Sequence, residues 1–544
     1  MRCFNNARST RSLAVRILAA FAICISLLAA AVAANPSDDK PRSRAVRALR
    51  DGDYQAAEKI FRELLNRNPH DNEARLGLSF ALLKQRLLQD AYDHAARVIL
   101  NDPLSARAHA LLGSAILASG DFRNSVEEFR TAVSIQENES LAIAGLAMVD
   151  FYENRLDSAI RGLRRAANIT PEEADFVFNL GQAAARSERY KEAADAYEHF
   201  LTIAPKTDAD RRARIRGLID FLRYLGRQNS LYFTSGANKT VIPFDAVDGR
   251  PILKIRVNGG KDLLRFVLDS GSGMSVVSEE TAKRLGLHAV ARGGLARAVG
   301  GGGKFEIVYG FLSSLDIGEV KVENVPVYIR HFYDDRLPVD GYLGLSVISK
   351  FLASVDYGRY TFSLLRQHQS ESLDLWRTIY RTETPRTGPP TGSDIIEIPL
   401  RTTSSGFLSA EVHLEGIEKP LNFIIDTGAS VSVVSEKLTQ DEGLDHYLQP
   451  TRMRVFGAAG VAEDVKTLLL PKVMLGTITK EQINAAVLDL EPVNETAGFT
   501  QNGILGGNFL RHFRVSFDFQ RGALRLEPIN KTAKAVDHSN PDEM

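Results

Sequence analysis

From residue 38 to 225 the apolar positions recur at helical spacing within a longer period. Pro69, Pro103, Pro171 and Pro205 share a 34-residue register, and Glu137 occupies the slot between the second and third. Tyr54, Leu88, Phe122, Leu156 and Tyr190 repeat at the same interval, as do the small residues Ala57, Ala91, Ser125, Ala159 and Ala193. Small side chains at fixed places on successive helices let the helices pack closely. The pattern therefore predicts about five helix pairs, closed by a final helix over 209–225 that covers the exposed end. Stacked repeats need these residues in their core whether or not anything binds, so none is nominated as a ligand contact.

Beyond residue 240 the pattern changes to short apolar runs broken by Gly, Asp and Asn, which predict strands and turns. One motif occurs twice: FVLDSGSGMSVVSE at 266–279 and FIIDTGASVSVVSE at 423–436. Each copy has an apolar strand delivering an acid, a small hydroxyl residue, a glycine free to take unusual dihedrals, and a second apolar strand. A second element also repeats, DGYLGLSVISKF at 340–351 and NGILGGNFLRHF at 502–513, and each is followed by a predicted strand pair with a turn. Ile242-Pro243-Phe244 and Ile398-Pro399-Leu400 stand ahead of the two copies, so the duplication spans whole lobes.

The D-S/T-G turn with a downstream apolar-apolar-Gly resembles the aspartic peptidases, and the small retropepsin-like lobes more closely than the large pepsin-like ones. The 34-residue helical period resembles tetratricopeptide repeats. These resemblances imply a multidomain α plus β chain, with an α-helical tetratricopeptide solenoid followed by two β-rich retropepsin-like lobes forming an aspartic-peptidase pseudo-dimer. By the same resemblance Asp269 and Asp426 are the catalytic acids, and the hydroxyls of Ser270 and Thr427 bond across the lobe junction. Gly271 and Gly428 complete the turns.

Two carboxylates held close together cannot both ionise, so such a pair shares a proton and titrates as a unit. The charged member can take a proton from a water between them while the protonated member bonds the scissile carbonyl. After the glycines the copies differ, Ser272 against Ala429. A Ser272 hydroxyl donating to a carboxylate would favour its ionised form, and one such donor rather than two predicts a mildly acidic to neutral optimum. Such a site also needs hairpins that close over the substrate. RAVGGGGKFEIVYG offers Gly300, Gly301, Gly302 and Gly303 for one, and RVFGAAGVAEDV offers Gly457 and Gly460 for the other. Lys304 is followed by Phe305, not Ser or Thr, so the glycine run is no phosphate loop.

Composition narrows the picture. The chain has 544 residues, 44% hydrophobic and 25% charged, with zero formal net charge. No basic footprint for nucleic acid is present. Residues 1–34 read as an export signal, with a basic head, an apolar middle and Ala33-Ala34 at the exit; an uncleaved anchor is the alternative, and otherwise no membrane contact is expected. Its removal takes Arg2, Arg8, Arg11 and Arg16 and both cysteines, Cys3 and Cys24, leaving no thiol. No His or Cys spacing fits a metal site, and no cofactor is expected. The expected order is signal 1–34, repeats 38–225, linker 226–239, lobe one 240–365, linker 366–393, lobe two 394–528 and tail 529–544. The expected function is an exported aspartic endopeptidase, periplasmic in a bacterium, cutting a protein or peptide substrate, with a concave repeat face that recruits substrate or a protein partner. A non-catalytic peptide-binding scaffold and a peptidase active only as a homodimer through one lobe stand as alternatives.

Overall fold

The computed structural model describes residues 39–334, 336–366 and 396–529. The segment expected as an export signal, nearly all of the expected 366–393 linker and the tail past 529 lie outside them. The chain divides into two compact units, one up to Pro103 and one from Leu104.

The first unit contains the helix pairs Asp39–Asp51 with Tyr54–Arg67 and Asn72–Lys84 with Leu88–Asn101. The second opens with Ala106–Ser119 and Phe122–Ile135, Ser140–Tyr152 and Leu156–Ile169, then Ala174–Arg186 and Tyr190–Ile203, and ends its helical part with Ala209–Leu225. Tyr54, Leu88, Phe122, Leu156 and Tyr190 each open the second helix of a pair. The small residues three positions on, Ala57 through Ala193, are fully buried, because the partner helix leaves no room for a larger side chain. Several starts are fixed by aspartates whose carboxylates accept backbone N–H groups, Asp53 from Ala56 at 3.0 Å and Asp121 from Asn124 at 3.1 Å, which satisfies donors a helix cannot pair internally.

The lobes repeat one topology. In lobe one the strand Leu264–Leu268 pairs in parallel with Gly341–Leu343, and Val276–Ser278 with Val320–Arg330. In lobe two Leu421–Ile425 pairs with Gly503–Leu505, and Ser432–Ser435 with Ile478–Leu488. All five residues of Leu421–Ile425 are buried, the four apolar ones as a strand covered on both faces requires and Asn422 with its amide donating to the Gly120 carbonyl at 3.4 Å. A sheet crosses the junction: Phe351–Asp356 runs antiparallel to Phe513–Asp518, with Ser354 opposite Ser516 and their hydroxyls 2.8 Å apart. Equivalent strands facing each other are the contact expected of a fused pseudo-dimer.

Two features depart from the sequence reading. The segment 226–239 carries the strand Phe233–Gly236, which pairs with Val320–Glu323 of lobe one, so it adds an edge to that sheet. The later repeats are also built into the lobes. The segment of lobe two between Ile478–Leu488 and Gly503–Leu505 holds the helix Glu491–Ala497 and then Phe499, which is fully buried among helices of the array, its ring 4.9 Å from Phe122 and 5.0 Å from Tyr152. Thr500 N–H donates to the Ala118 carbonyl at 2.9 Å beside it. Among the described residues no helix is long and apolar enough to cross a membrane.

Candidate active site

Each acid stands where a buried strand ends. Asp269 N–H bonds the Leu343 carbonyl and Asp426 N–H the Leu505 carbonyl, both at 3.0 Å, so the downstream repeat element fixes the height of each acid. The turns then cross over. Ser270 Oγ donates to the Ile425 carbonyl at 2.8 Å and accepts from Thr427 N–H at 3.0 Å. Thr427 Oγ1 donates to the Leu268 carbonyl at 2.7 Å and accepts from Ser270 N–H at 3.1 Å. Both hydroxyls are fully buried. Four reciprocal bonds therefore lock the loops, as the paired D-S/T-G turns imply. In Thr427→Val the Leu268 carbonyl and Ser270 N–H are left unpaired at the junction. Chemical denaturation should then show a loss of about 2–4 kcal/mol, whereas no measurable loss would mean the junction does not depend on these bonds.

The two half-buried carboxylates meet at the centre and share a hydrogen bond. Asp426 Oδ1 accepts from Gly428 N–H at 2.8 Å and Ala429 N–H at 3.2 Å; Asp269 Oδ1 accepts from Gly271 N–H at 2.9 Å. Burial pushes Asp269 well above the ordinary carboxylate value of 3.8, and the adjacent Asp426 charge pushes it further. Burial raises Asp426 too, but its N–H donors and the Asp269 hydrogen bond oppose that rise. The pair therefore holds one proton between them, and the second backbone N–H donor on Asp426, against one on Asp269, favours the charge on Asp426.

Ser272 does not act on either acid. Its hydroxyl donates to the Met274 carbonyl at 2.8 Å, so the expected donor is absent. The expected pH window loses its support from Ser272, and burial is what raises both acids. The glycines Gly271 and Gly428 also have a different reason from the one expected, since neither has positive φ. They are needed for space: a Cβ on Gly271 would lie 2.3 Å from Asp426 Cγ, and one on Gly428 2.6 Å from Asp269 Oδ1.

The two glycine-rich segments are hairpin tips. One joins Ala291–Arg297 to Lys304–Ile317, and the other joins Leu448–Gly457 to Gly460–Leu475. They meet backbone to backbone: a Cβ on Gly300 would sit 2.7 Å from Gly457 Cα, and one on Gly301 2.6 Å from Gly460 Cα. A Cβ on Gly303 would lie 2.8 Å from the Ala459 carbonyl oxygen, while one on Gly302 would meet nothing within 4 Å. One cavity of about 1330 Å³ contains Asp269, Asp426, Val299, Gly457 and Ala458 in its lining, which makes the tips its roof.

Sequence reading missed three residues here. Ser275 and Ser432, both buried, anchor the downstream glycines: Gly344 N–H bonds Ser275 Oγ at 3.0 Å and Gly506 N–H bonds Ser432 Oγ at 3.1 Å. Their equivalent places in the two copies were a usable signal. Arg330 had none. Its guanidinium lies 3.8 Å from the Phe305 ring centroid of the first hairpin, donates to the Ala458 carbonyl of the second, and its charge reaches Asp269. Among the described residues no cluster of three or more His, Cys, Asp or Glu could hold a metal ion.

A sequence model of the aspartyl protease family matches residues 253–347 and 410–509, the two lobes around this centre. The chain carries an aspartyl protease domain. Tetratricopeptide repeat models match residues 48–115 and 145–207 ahead of it. The aspartyl protease domain is accordingly the retropepsin-like half of the chain, and the repeats are its helical half. Two curated relatives match part of the chain: anaphase-promoting complex subunit 3 of Schizosaccharomyces pombe is 29% identical over 160 residues, 29% of this chain and 24% of its own. BBSome complex member BBS4 of Bos taurus is 26% identical over 154 residues, 28% of this chain and 29% of its own. The chain thus spans about a quarter of the length of these relatives. A thermophilic tetratricopeptide protein of Thermus thermophilus has 22% identity and a TM-score of 0.30, covering 34% of this chain and 98% of that one.

Proposed function

We propose that this chain is an exported aspartic endopeptidase that hydrolyses peptide bonds with water activated between Asp269 and Asp426. The observation that carries the reading is that both acids of one chain share a hydrogen bond at a junction locked by Ser270 and Thr427. Asp426, charged, takes a proton from the water as it attacks the scissile carbonyl carbon. Asp269, protonated, donates to the carbonyl oxygen and leaves a neutral tetrahedral diol without any acyl-enzyme. Collapse of the diol returns a proton to the departing amine. The substrate lies extended between the lobes, where backbone bonding and side-chain pockets give recognition. The tip-to-tip hairpins exclude bulk water once it is bound.

The pH dependence follows from the direction of both shifts. Activity needs one proton on the pair. It falls on the acid side when Asp426 is protonated, above the ordinary 3.8 because its pKa is raised, and on the alkaline side when Asp269 ionises. Cleavage of an unfolded protein by the chain without residues 1–34, followed from about pH 3 to 8 around the dyad range, should give a bell centred above the ordinary carboxylate range. A parent protein that binds peptides yet cuts none at any pH would hand the lead to the scaffold reading.

A further inference from the structure

The cavity above the acids does not end at the lobes. Its lining continues past Met274 and Ile307 to Gln182 and Arg186 on the helix Ala174–Arg186, and to Arg214 and Leu218 on the helix Ala209–Leu225. Each pair is spaced i, i+4, so each helix turns one face to the cavity. At about 1330 Å³ the space exceeds the ~300–1,000 Å³ that serves a small molecule, and it suits several residues of an extended chain.

These helices are held firmly against both lobes. On the lobe-one side, a Cβ on Gly217 would lie 2.0 Å from the Arg292 carbonyl oxygen, so helix and hairpin strand touch backbone to backbone. Arg214 donates to the Leu295 carbonyl at 2.8 Å, Lys304 pairs with Asp210 at 2.7 Å, and the Phe221 ring stacks on Tyr309 at 4.1 Å. Towards lobe two, Arg186 lies 3.8 Å over the Phe151 ring and donates to the Thr403 carbonyl. A wall attached this way keeps its position relative to the dyad, as a specificity surface must.

We propose that the last helix pair and the closing helix of the repeats form a wall of the substrate cleft, and that an extended peptide lying across the dyad is read on one side of its scissile bond by Gln182 and its neighbours. The inference rests on the peptidase reading and gives the repeats a role within the active site, distinct from that of a remote docking face. Gln182 is the informative position because it lines the cavity one helical turn from Arg186 and carries no charge of its own.

The test compares the full chain from residue 35 with Gln182→Glu and Gln182→Arg on a library of unstructured peptides of about eight residues, about 26 Å long when extended. Such peptides are too short to occupy the dyad and a distant docking face together. Gln182→Glu should favour Lys and Arg, and Gln182→Arg should favour Asp and Glu, at positions on one side of the scissile bond only. The expected change is about fivefold in kcat/KM between otherwise identical peptides, the scale of one partly screened ion pair. Opposite shifts from the two variants are not produced by a loss of folding, and thermal melts identify any variant whose fold has changed; Gln182→Glu alone then carries the test. If the parent cuts the library and both variants keep its profile, the wall is overturned and the peptidase stands. A parent that cuts nothing overturns both.

Discussion

Asp269→Asn and Asp426→Asn each lower turnover of an unfolded protein by at least about 10³-fold, as expected when a positioned acid or base is removed. Each acid has a separate task, yet neither works alone. Without a charge on Asp426 nothing takes the proton of the water, and without a proton on Asp269 nothing neutralises the developing oxyanion. The double variant should therefore be little worse than either single one. Stability should move the opposite way. Burial raises both folded-state pKa values above 3.8. Each acid therefore contributes stability that is full below the unfolded-state value and is lost as pH rises through the raised folded value. Asp269→Asn removes a group that resists ionisation, so its melting temperature at neutral pH should exceed the parent's, with the difference closing towards acid. Retained activity in one of the two single variants would instead point to pairing between chains through the other lobe.

Gly271→Ala and Gly428→Ala will be nearly as damaging, although each adds only a methyl group. The added carbon would sit 2.3 Å from Asp426 Cγ in the first and 2.6 Å from Asp269 Oδ1 in the second, well inside contact distance. The carboxylate opposite cannot retreat, because its turn is locked by buried bonds from Ser270 and Thr427. The loops must part instead. A displacement of about 1 Å in a catalytic group costs on the order of 10²-fold in rate, and overpacking costs about 1–3 kcal/mol of stability. Kinetics and denaturant melts on both variants check this. Activity within a factor of about three of the parent, well short of that loss, would mean the turns are looser than their bonding suggests. By contrast, an alanine at Gly302, whose added carbon would meet nothing, tests backbone strain alone, because φ there is +61°.

Local chemistry decided much of this protein. The 34-residue register placed the first residue of each second helix and its buried small residue, since helices that stack must repeat what they bury. Two copies of one acidic turn, each between apolar strands, identified Asp269, Asp426, Ser270 and Thr427, and the equivalent positions of Ser275 and Ser432 were readable in the same way. Those relations are legible because a duplicated motif repeats its hydrogen-bonding needs along with its residues. Other features exist only once the chain is folded. Ser272 gives its hydroxyl to the Met274 carbonyl within its own turn. Gly271 and Gly428 are required by the opposite lobe's carboxylates, 155 or more residues away along the chain. Arg330 bridging two hairpins, Phe499 entering the helical core, and Gln182 lining the cavity above the acids have no spacing that announces them. Periodicity reports which face of an element is buried, whereas which distant surface buries it is settled by packing in three dimensions.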